Sequence, residues 1–265
     1  MPAPPLNGAI IEILYGGICG TDLHLQKGRL PIPPVVLGHE GLGRINRLHP
    51  SLNTDAKGTQ IKSGDIVMWA SSISCGHCEA CSIEREPTLC DHRKIYGVNR
   101  NTATDEPLSG AWADFICLQS GTTIVKIPEG IDKILAMALA CAGPTMVHAF
   151  QRRPVQLGET VIVQGAGPVG LAAAAMAKLA GARQLILVGA PASRLQLASE
   201  CGIADVCVDI FGRPIDAALS EIMSYTPNFK GADLVIECTG APDAVSQGVN
   251  LARRGGLSSR RSVHR

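Results

Sequence analysis

The pattern of apolar and polar positions changes near residue 130. Before that point, short stretches rich in β-branched residues are separated by Gly, Pro, Asn and Asp, which is typical of a β-rich unit with long loops. After it, short aliphatic runs alternate with longer stretches of helical periodicity. Uninterrupted aliphatic strands between amphipathic helices indicate a parallel sheet that is covered on both faces.

The elements predicted from this pattern differ between the two parts of the chain. In the first part, strands are predicted at residues 9–14, 64–70, 112–118 and 123–127. In the second part, strands are predicted at residues 160–164, 184–188, 204–209 and 233–238, and helices at residues 170–180, 194–201, 215–224 and 242–251. The sequence therefore predicts an α/β protein with two domains, residues 1–128 and residues 129–265, the second of which begins with a linking helix.

Composition and charge exclude several classes of protein. The 265 residues are 46% hydrophobic, which is enough apolar material for two cores. Lys and Arg number 24 against 23 for Asp and Glu, so the chain has no basic field for nucleic acid. The N-terminus has no basic region followed by an apolar run, and the longest apolar run, residues 134–150, is interrupted by Gly143, Pro144 and His148. We therefore expect neither an export signal nor a membrane span.

Cysteine usage points to metal binding. Ten cysteines without a secretory signal favour thiolate ligands and core thiols over a disulfide framework. Two-residue spacings let a chain wrap around one tetrahedral ion, and four thiolates close its coordination shell. The spacing therefore predicts a structural zinc site formed by Cys75, Cys78, Cys81 and Cys90. Disulfides or unrelated core thiols are the alternative, which is disfavoured by the short loops and by the reducing cytoplasm in which we expect the protein.

A glycine motif joins the strand predicted at residues 160–164 to the following helix. In this G-x-G-x-x-G motif, Gly165 permits the tight turn, Gly167 lets a pyrophosphate approach the backbone, and Gly170 allows close packing of helix on strand. The motif is weak alone, but here it lies within a repeated alternation of strands and helices. It predicts a dinucleotide site that also includes Pro168 and Val169.

The choice between NAD and NADP stays open. The second strand of an NAD site ends in Asp or Glu, which binds the ribose hydroxyls, whereas here it ends in Val188 and Gly189. Arg194, five residues later, would suit a 2′-phosphate and so favours NADP. The alternative is that Arg194 is a solvent-exposed arginine in the first turn of a helix, without a role in cofactor binding.

Two further motifs lie far apart in the chain: C-G-T-D-x-H at residues 19–24 and G-H-E-x-x-G at residues 38–43. With the cysteine and glycine motifs they occur in the order, and at about the separations, of the zinc-dependent medium-chain alcohol dehydrogenases, which the chain resembles over residues 10–256. The resemblance implies a GroES-like β-barrel catalytic domain and a shortened Rossmann domain with a doubly wound parallel sheet. It also implies an oxidoreductase that transfers hydride between NAD or NADP and a small alcohol or polyol, or the corresponding carbonyl compound.

The resemblance implies a catalytic zinc ion in addition to the structural one, so two per chain. Cys19, His39 and Cys141 correspond to its protein ligands and leave a fourth position open for water or substrate. Glu40 corresponds to a glutamate that ligates the metal transiently during ligand exchange.

The resemblance also assigns residues to proton transfer and cofactor binding. Thr21 corresponds to the hydroxyl that accepts the alcohol proton, and His24 to the end of the relay to solvent. Asp22 corresponds to the carboxylate that orients the imidazole of His39. Thr145 is expected near the nicotinamide.

Both ends of the chain depart from the family pattern. After residue 256 a further buried strand is expected, but the polar tail at residues 257–265 is predicted not to form a core strand. The strand at residues 233–238 would then have an unpaired edge, and homo-oligomerisation of the family type becomes doubtful. These departures predict a truncated member of the family.

Two alternatives to an active zinc dehydrogenase follow. The first is a catalytically inactive fragment that binds zinc and nucleotide, which the missing strands favour. The second is the zinc-free quinone or enone reductase branch of the same superfamily, which lacks the Cys and His ligands found here.

Overall fold

The computed structural model describes residues 2–30, 32–104 and 108–260. It consists of two compact units, Met1–Cys141 and Ala142–Arg265. The predicted domain boundary, between residues 128 and 129, falls earlier, ahead of the short helix Lys133–Ala136.

The first unit is built on an antiparallel sheet, as its alternating apolar pattern predicts. Its strands are β1 (Ala9–Gly16), β2 (Gly41–Leu48), β3 (Ile66–Trp69), β4 (Ser72–Ile73), β5 (Lys94–Ile95), β6 (Phe115–Leu118) and β7 (Ile124–Lys126). Five of them form a sheet of order β6-β1-β2-β3-β7, and β4 pairs with β5. The short helices are α1 (Gly20–Gln26), α2 (Glu79–Ser82) and α3 (Lys133–Ala136).

Strand β2 is absent from the sequence prediction because glycines interrupt its apolar pattern. A Cβ atom at Gly41 would overlap the ring of Trp69, and one at Gly43 would overlap the backbone of Glu12. Close packing inside the sheet therefore requires glycine at both positions. A prediction based on side-chain type does not recognise β2 as a strand, because glycine is uncommon in strands.

The second unit is a parallel sheet with helices on both faces. Its strands are β8 (Thr160–Gln164), β9 (Gln184–Gly189), β10 (Val206–Asp209), β11 (Ala232–Glu237) and β12 (Ala252–Arg260), in the order β10-β9-β8-β11-β12. Its helices are α4 (Ala142–Arg152), α5 (Pro168–Leu179), α6 (Ala192–Glu200), α7 (Ile215–Ser224) and α8 (Ala244–Leu251). The predicted fold class is confirmed, and the order of strands reverses between β8 and β11, where ligands bind in such sheets.

Two apolar clusters cover opposite faces of this sheet. Val161 and Val163 of β8 pack into one cluster with α5, whereas Ile162 between them packs into the other with α7. Because successive side chains of a strand point to opposite faces, an unbroken aliphatic strand needs such cover on both sides.

The prediction that the strand at residues 233–238 has an unpaired edge is wrong. Residues 252–260 form β12, which runs parallel to β11 and pairs with it at Ala252 and, after an irregularity, from Leu257 to Arg260. Hydrogen bonds in a sheet use main-chain groups, so a polar sequence can occupy an edge strand. The edge of β11 that was expected to be unpaired is therefore covered, and residues 261–265 lie outside the described residues.

Among the described residues, one helical stretch, Lys133–Arg152, is long and apolar enough to cross a membrane by length and composition alone. Its most apolar window has a mean hydropathy of 1.4. Core helices of proteins without a membrane meet the same criterion, so the expected absence of a membrane span stays a prediction.

Candidate functional site

Four side chains from distant parts of the sequence converge in the first unit. The ligand atoms of Cys19, His39, Glu40 and Cys141, called here the mixed cluster, all lie within 4.8 Å of one another. The two sulfur atoms are 3.9 Å apart, and Nε2 of His39 is 3.8 Å from Oε1 of Glu40. Two thiols, an imidazole and a carboxylate form a donor set that suits zinc.

The antiparallel pairing of β1 and β2 brings most of these residues together. Gly16 at the end of β1 pairs with Gly41 at the start of β2. Cys19 follows the end of β1 after two residues, as the N-cap of α1, and His39 and Glu40 immediately precede β2. The two segments therefore meet at one end of the sheet.

Asp22 holds two of the metal-binding residues in place. Its carboxylate is fully buried, with Oδ1 3.1 Å from Nδ1 of His39 and Oδ2 accepting the Cys19 N–H at 2.8 Å. Since a carboxylate only accepts hydrogen bonds, these contacts assign the proton of His39 to Nδ1. Nε2, on the other side of the ring, then faces the mixed cluster, as in other histidines that bind a metal.

The electrostatics of the mixed cluster favour a cation. The hydrogen bond from Cys141 lowers the pKa of Cys19 most; burial opposes this effect, and His39 adds to it, giving a pKa of about 3. Burial would lower the pKa of His39, but Asp22 and Cys19 outweigh it and raise this pKa to about 10. Burial and the Cys19 thiolate raise the pKa of Glu40 to about 7. The anionic Cys19 and Asp22 thus hold a proton on His39, and a metal ion bound at Nε2 would take the place of that proton.

Gly17 and Trp112, which the sequence analysis missed, support the mixed cluster together with Gly38 of the G-H-E-x-x-G motif. A Cβ atom at Gly17 would overlap Oε2 of Glu40, and one at Gly38 would lie 2.5 Å from the indole of Trp112. The same indole donates a hydrogen bond to the carbonyl oxygen of Gly17 at 3.0 Å. The only signal in the sequence is a glycine shortly before Cys19 and another just before His39.

The residues predicted for proton transfer both lie on α1. The hydroxyl oxygen of Thr21 is 3.9 Å from Sγ of Cys19, so it lies beside the mixed cluster. His24 is exposed in the last turn of α1. Within the described part of the chain, no direct hydrogen bond joins Thr21 to His24.

The second group of sulfur atoms is the thiol cluster, whose members lie within 4.8 Å of one another: Cys75, Cys78, Cys81 and Cys90. The Cys75 N–H donates to the sulfur of Cys90, and the Cys78 N–H donates to the sulfur of Cys75, both at 3.3 Å. Among the described residues, which include all ten cysteines, the structure forms no disulfide.

The thiols of this cluster compete for negative charge. Backbone N–H groups of His77 and Cys78 lower the pKa of Cys75 to about 6, whereas burial and the neighbouring thiols raise the pKa of Cys81 to about 12. Four thiolates at this distance therefore need a bound cation to ionise together.

The glycine motif forms a tight turn between β8 and α5. Gly165 has a φ of +108°, and a Cβ atom at Gly170 would overlap the carbonyl oxygen of Gly165. A Cβ atom at Gly167 would meet no heavy atom within 4 Å, so this backbone faces open space. Pro168 begins α5 and Val169 is buried beneath it. The turn thus fits a pyrophosphate, with an exposed backbone at the N-terminus of a helix.

The other two residues predicted at the cofactor lie on helices of the second unit. Arg194 is exposed in the first turn of α6. Thr145 is half-buried in α4, in the same unit as the glycine turn.

A β-rich unit with a mixed metal-binding cluster, followed in the chain by a dinucleotide-binding sheet, defines the class of metal-dependent dehydrogenases. Comparison with known proteins agrees with this class. Residues 6–129 match the family model of the alcohol dehydrogenase GroES-like domain, and residues 168–259 match that of zinc-binding dehydrogenases. The chain is 36% identical over 254 residues to 5-exo-hydroxycamphor dehydrogenase of Pseudomonas putida, an alignment that covers 94% of this chain and 67% of that protein.

Similar solved structures also belong to the class of metal-dependent dehydrogenases. An alcohol dehydrogenase from Thermotoga maritima has a TM-score of 0.88 and 36% identity, over 98% of this chain and 70% of that one. A zinc-binding dehydrogenase from Sinorhizobium meliloti 1021 bound to NADP has a TM-score of 0.81 and 28% identity, over 100% of this chain and 73% of that one.

The chain therefore belongs to the zinc-dependent medium-chain alcohol dehydrogenase family, a family of oxidoreductases. It spans about two thirds of the length of the curated relatives that it matches. The predicted family and enzyme class are confirmed. The two clusters contain the Cys and His residues that the zinc-free branch lacks.

Proposed function

We propose that this chain carries the catalytic machinery of a zinc-dependent dehydrogenase that transfers hydride between NAD(P) and a small alcohol or polyol, or the corresponding carbonyl compound. The observation that carries the proposal is the convergence of Cys19, His39 and Cys141 around a common centre, with Asp22 directing Nε2 of His39 toward it.

Two zinc ions per chain fit the residues present. Cys19, His39 and Cys141 would hold the catalytic ion, with Glu40 as a ligand during exchange, and the thiol cluster would hold a structural ion. When bound in the mixed cluster, zinc supplies a Lewis acid for the oxygen of the substrate. Four thiolates stay reduced in a reducing compartment, which supports the cytoplasm as the location.

The chain's own residues orient the substrate and carry its proton. The hydroxyl of Thr21, which lies beside Cys19, would accept the proton of an alcohol. His24, exposed at the end of the same helix, would pass the proton to solvent, which requires a bridging hydroxyl or water between Thr21 and His24.

The dinucleotide would bind on the second unit. Its pyrophosphate would lie on the turn from Gly165 to Gly170, against the N-terminus of α5, and Thr145 would lie near the nicotinamide. The Sinorhizobium relative with bound NADP supports a nicotinamide cofactor. The Pseudomonas relative, named for a hydroxylated camphor, supports a small alcohol as substrate.

Replacing Cys19 by Ala tests the proposal. We expect Cys19→Ala to lose one of two zinc ions and all turnover on a panel of alcohols, because one of three protein ligands is removed. Cys201→Ala, a change at an exposed cysteine outside both clusters, is the matched control and should keep both ions and full activity. A parent protein that binds nucleotide and zinc without turnover would instead support the inactive fragment.

A further inference from the structure

One arginine lies beside the thiol cluster without a carboxylate partner. Arg93 follows Cys90 in the same loop, immediately before β5, and is half-buried. Within the described ranges of the chain, its guanidinium forms no ion pair with a carboxylate, and its buried Nε has no hydrogen-bond partner. Because an unpaired cation is costly to bury, a negative charge nearby would explain why an arginine lies here.

Both ends of Arg93 are held around Cys90. The backbone N–H of Arg93 donates to the carbonyl oxygen of Cys90 at 3.1 Å, and Nδ2 of Asn99 donates to the carbonyl oxygen of Arg93 at 3.0 Å. At the far end of the side chain, Nη1 donates to the carbonyl oxygen of Thr88 at 3.2 Å. Since Thr88 precedes Cys90 and Arg93 follows it, the side chain of Arg93 spans the loop that carries the last ligand of the thiol cluster.

The sulfur of Cys90 supplies the negative charge. Cys90 is buried, and its Sγ accepts the N–H of Cys75 at 3.3 Å, which connects this loop to the first ligand of the cluster. Burial lowers the pKa of Arg93, and the charge of a Cys90 thiolate counteracts this effect. A zinc ion held by four thiolates leaves roughly two negative charges in excess, so the site attracts a cation.

We propose that Arg93 is a positioning residue of the thiol cluster, whose guanidinium offsets the negative charge of the thiolates and holds the loop of Cys90 around the bound ion. The inference rests on the structural zinc ion of the proposed function. Arginine suits this role, because its guanidinium stays charged when it is partly buried.

Competition between the zinc-loaded full chain and a chelator of known affinity tests this role without any turnover. Cys90→Ser identifies which of the two zinc ions is bound by the thiol cluster. We expect Arg93→Gln to weaken zinc binding at the thiol cluster by about 10- to 100-fold and to leave the mixed cluster unchanged. Arg93→Lys, which keeps the positive charge, should bind zinc within about threefold of the parent. Circular dichroism checks that each variant is folded.

The matched control is Arg85→Gln, which removes the same charge at an exposed position between Cys81 and Cys90. It should leave the zinc affinity of both clusters unchanged. Three results overturn the inference and leave the proposed dehydrogenase intact: unchanged affinity in Arg93→Gln, equal weakening in Arg93→Gln and Arg93→Lys, or equal weakening in Arg93→Gln and Arg85→Gln. If the parent binds no zinc ion that Cys90→Ser removes, the proposed structural zinc site itself is wrong.

Discussion

Of the two sulfur-rich clusters in the first unit, the thiol cluster takes all its ligands from residues 75–90, whereas the mixed cluster collects them from positions 19, 39, 40 and 141. In the thiol cluster, neighbouring backbone N–H groups bond to the sulfur atoms. In the mixed cluster, the pairing of β1 with β2 brings Cys19 and His39 together, and the buried Asp22 orients the imidazole of His39. One cluster is therefore encoded locally and the other by the fold.

The donor sets differ in the same way. Four thiolates complete a tetrahedral shell and leave no position for a substrate. Two thiols and an imidazole leave one position, which Glu40 would enter or leave in the proposed function. A local cluster suits an ion that stabilises a loop, whereas a cluster assembled by the fold suits an ion that must meet a substrate.

Removing one ligand from each cluster gives the largest expected difference. Cys90→Ser should lose the structural ion and lower Tm by more than about 10 °C, because zinc at such sites contributes about 10 kcal/mol to folding. Cys141→Ser should abolish turnover and lower Tm by less than about 5 °C, because the strands that position its partners remain. Metal analysis measures the zinc content, calorimetry measures Tm, and kinetics measure turnover. Equal losses of Tm in the two variants would contradict the distinction.

The same distinction explains what could be predicted from the sequence. Spacing alone predicts the thiol cluster, because its ligands lie on one short segment. Spacing cannot join Cys19 to Cys141, which are 122 positions apart, and only the resemblance to a family placed them together. The supporting Gly17 and Trp112 escaped both approaches, because their role depends on contacts that form after folding.

The fold was predictable to a similar degree. The bounds of β8 and α7 match the prediction, because these elements carry uninterrupted patterns between clear turn residues. Strand β2 was missed because of its glycines, and β12 because a polar edge strand needs only main-chain pairing.

The second prediction concerns Asp22, which has no counterpart in the thiol cluster. Asp22→Asn should weaken zinc binding at the mixed cluster by about 10- to 100-fold, since it disturbs both His39 and the Cys19 backbone. Competition with a chelator of known affinity measures this change. Asp91→Asn, a substitution beside Cys90 of an exposed carboxylate, is the control and should change neither site. Unchanged zinc affinity in Asp22→Asn would show that the fold positions His39 without this carboxylate.

A third prediction tests whether the backbone around Cys19 is shaped for Glu40. Gly17→Ala should lower turnover by about tenfold, because its Cβ atom overlaps Oε2 of Glu40 and must displace it. Gly20→Ala adds the same atom three residues later, where no heavy atom lies within 4 Å, and should keep turnover within about twofold. Equal activities of the two variants would mean that Glu40 can move at no cost.

The smallest expected effect comes from replacing the indole of Trp112, which donates a hydrogen bond to the backbone two residues before Cys19. Trp112→Phe keeps an aromatic ring against Gly38 but loses the hydrogen bond to the carbonyl oxygen of Gly17. We expect a loss of about 1 kcal/mol in the free energy of unfolding, because one hydrogen bond at a partly exposed site contributes about that much. Denaturant titration measures the loss.

Zinc in the thiol cluster should be retained fully, since Trp112 supports only the segments that carry the mixed cluster. A loss of thiol-cluster zinc in Trp112→Phe would show that the two clusters are energetically coupled, and the distinction between local and fold-encoded sites would then fail.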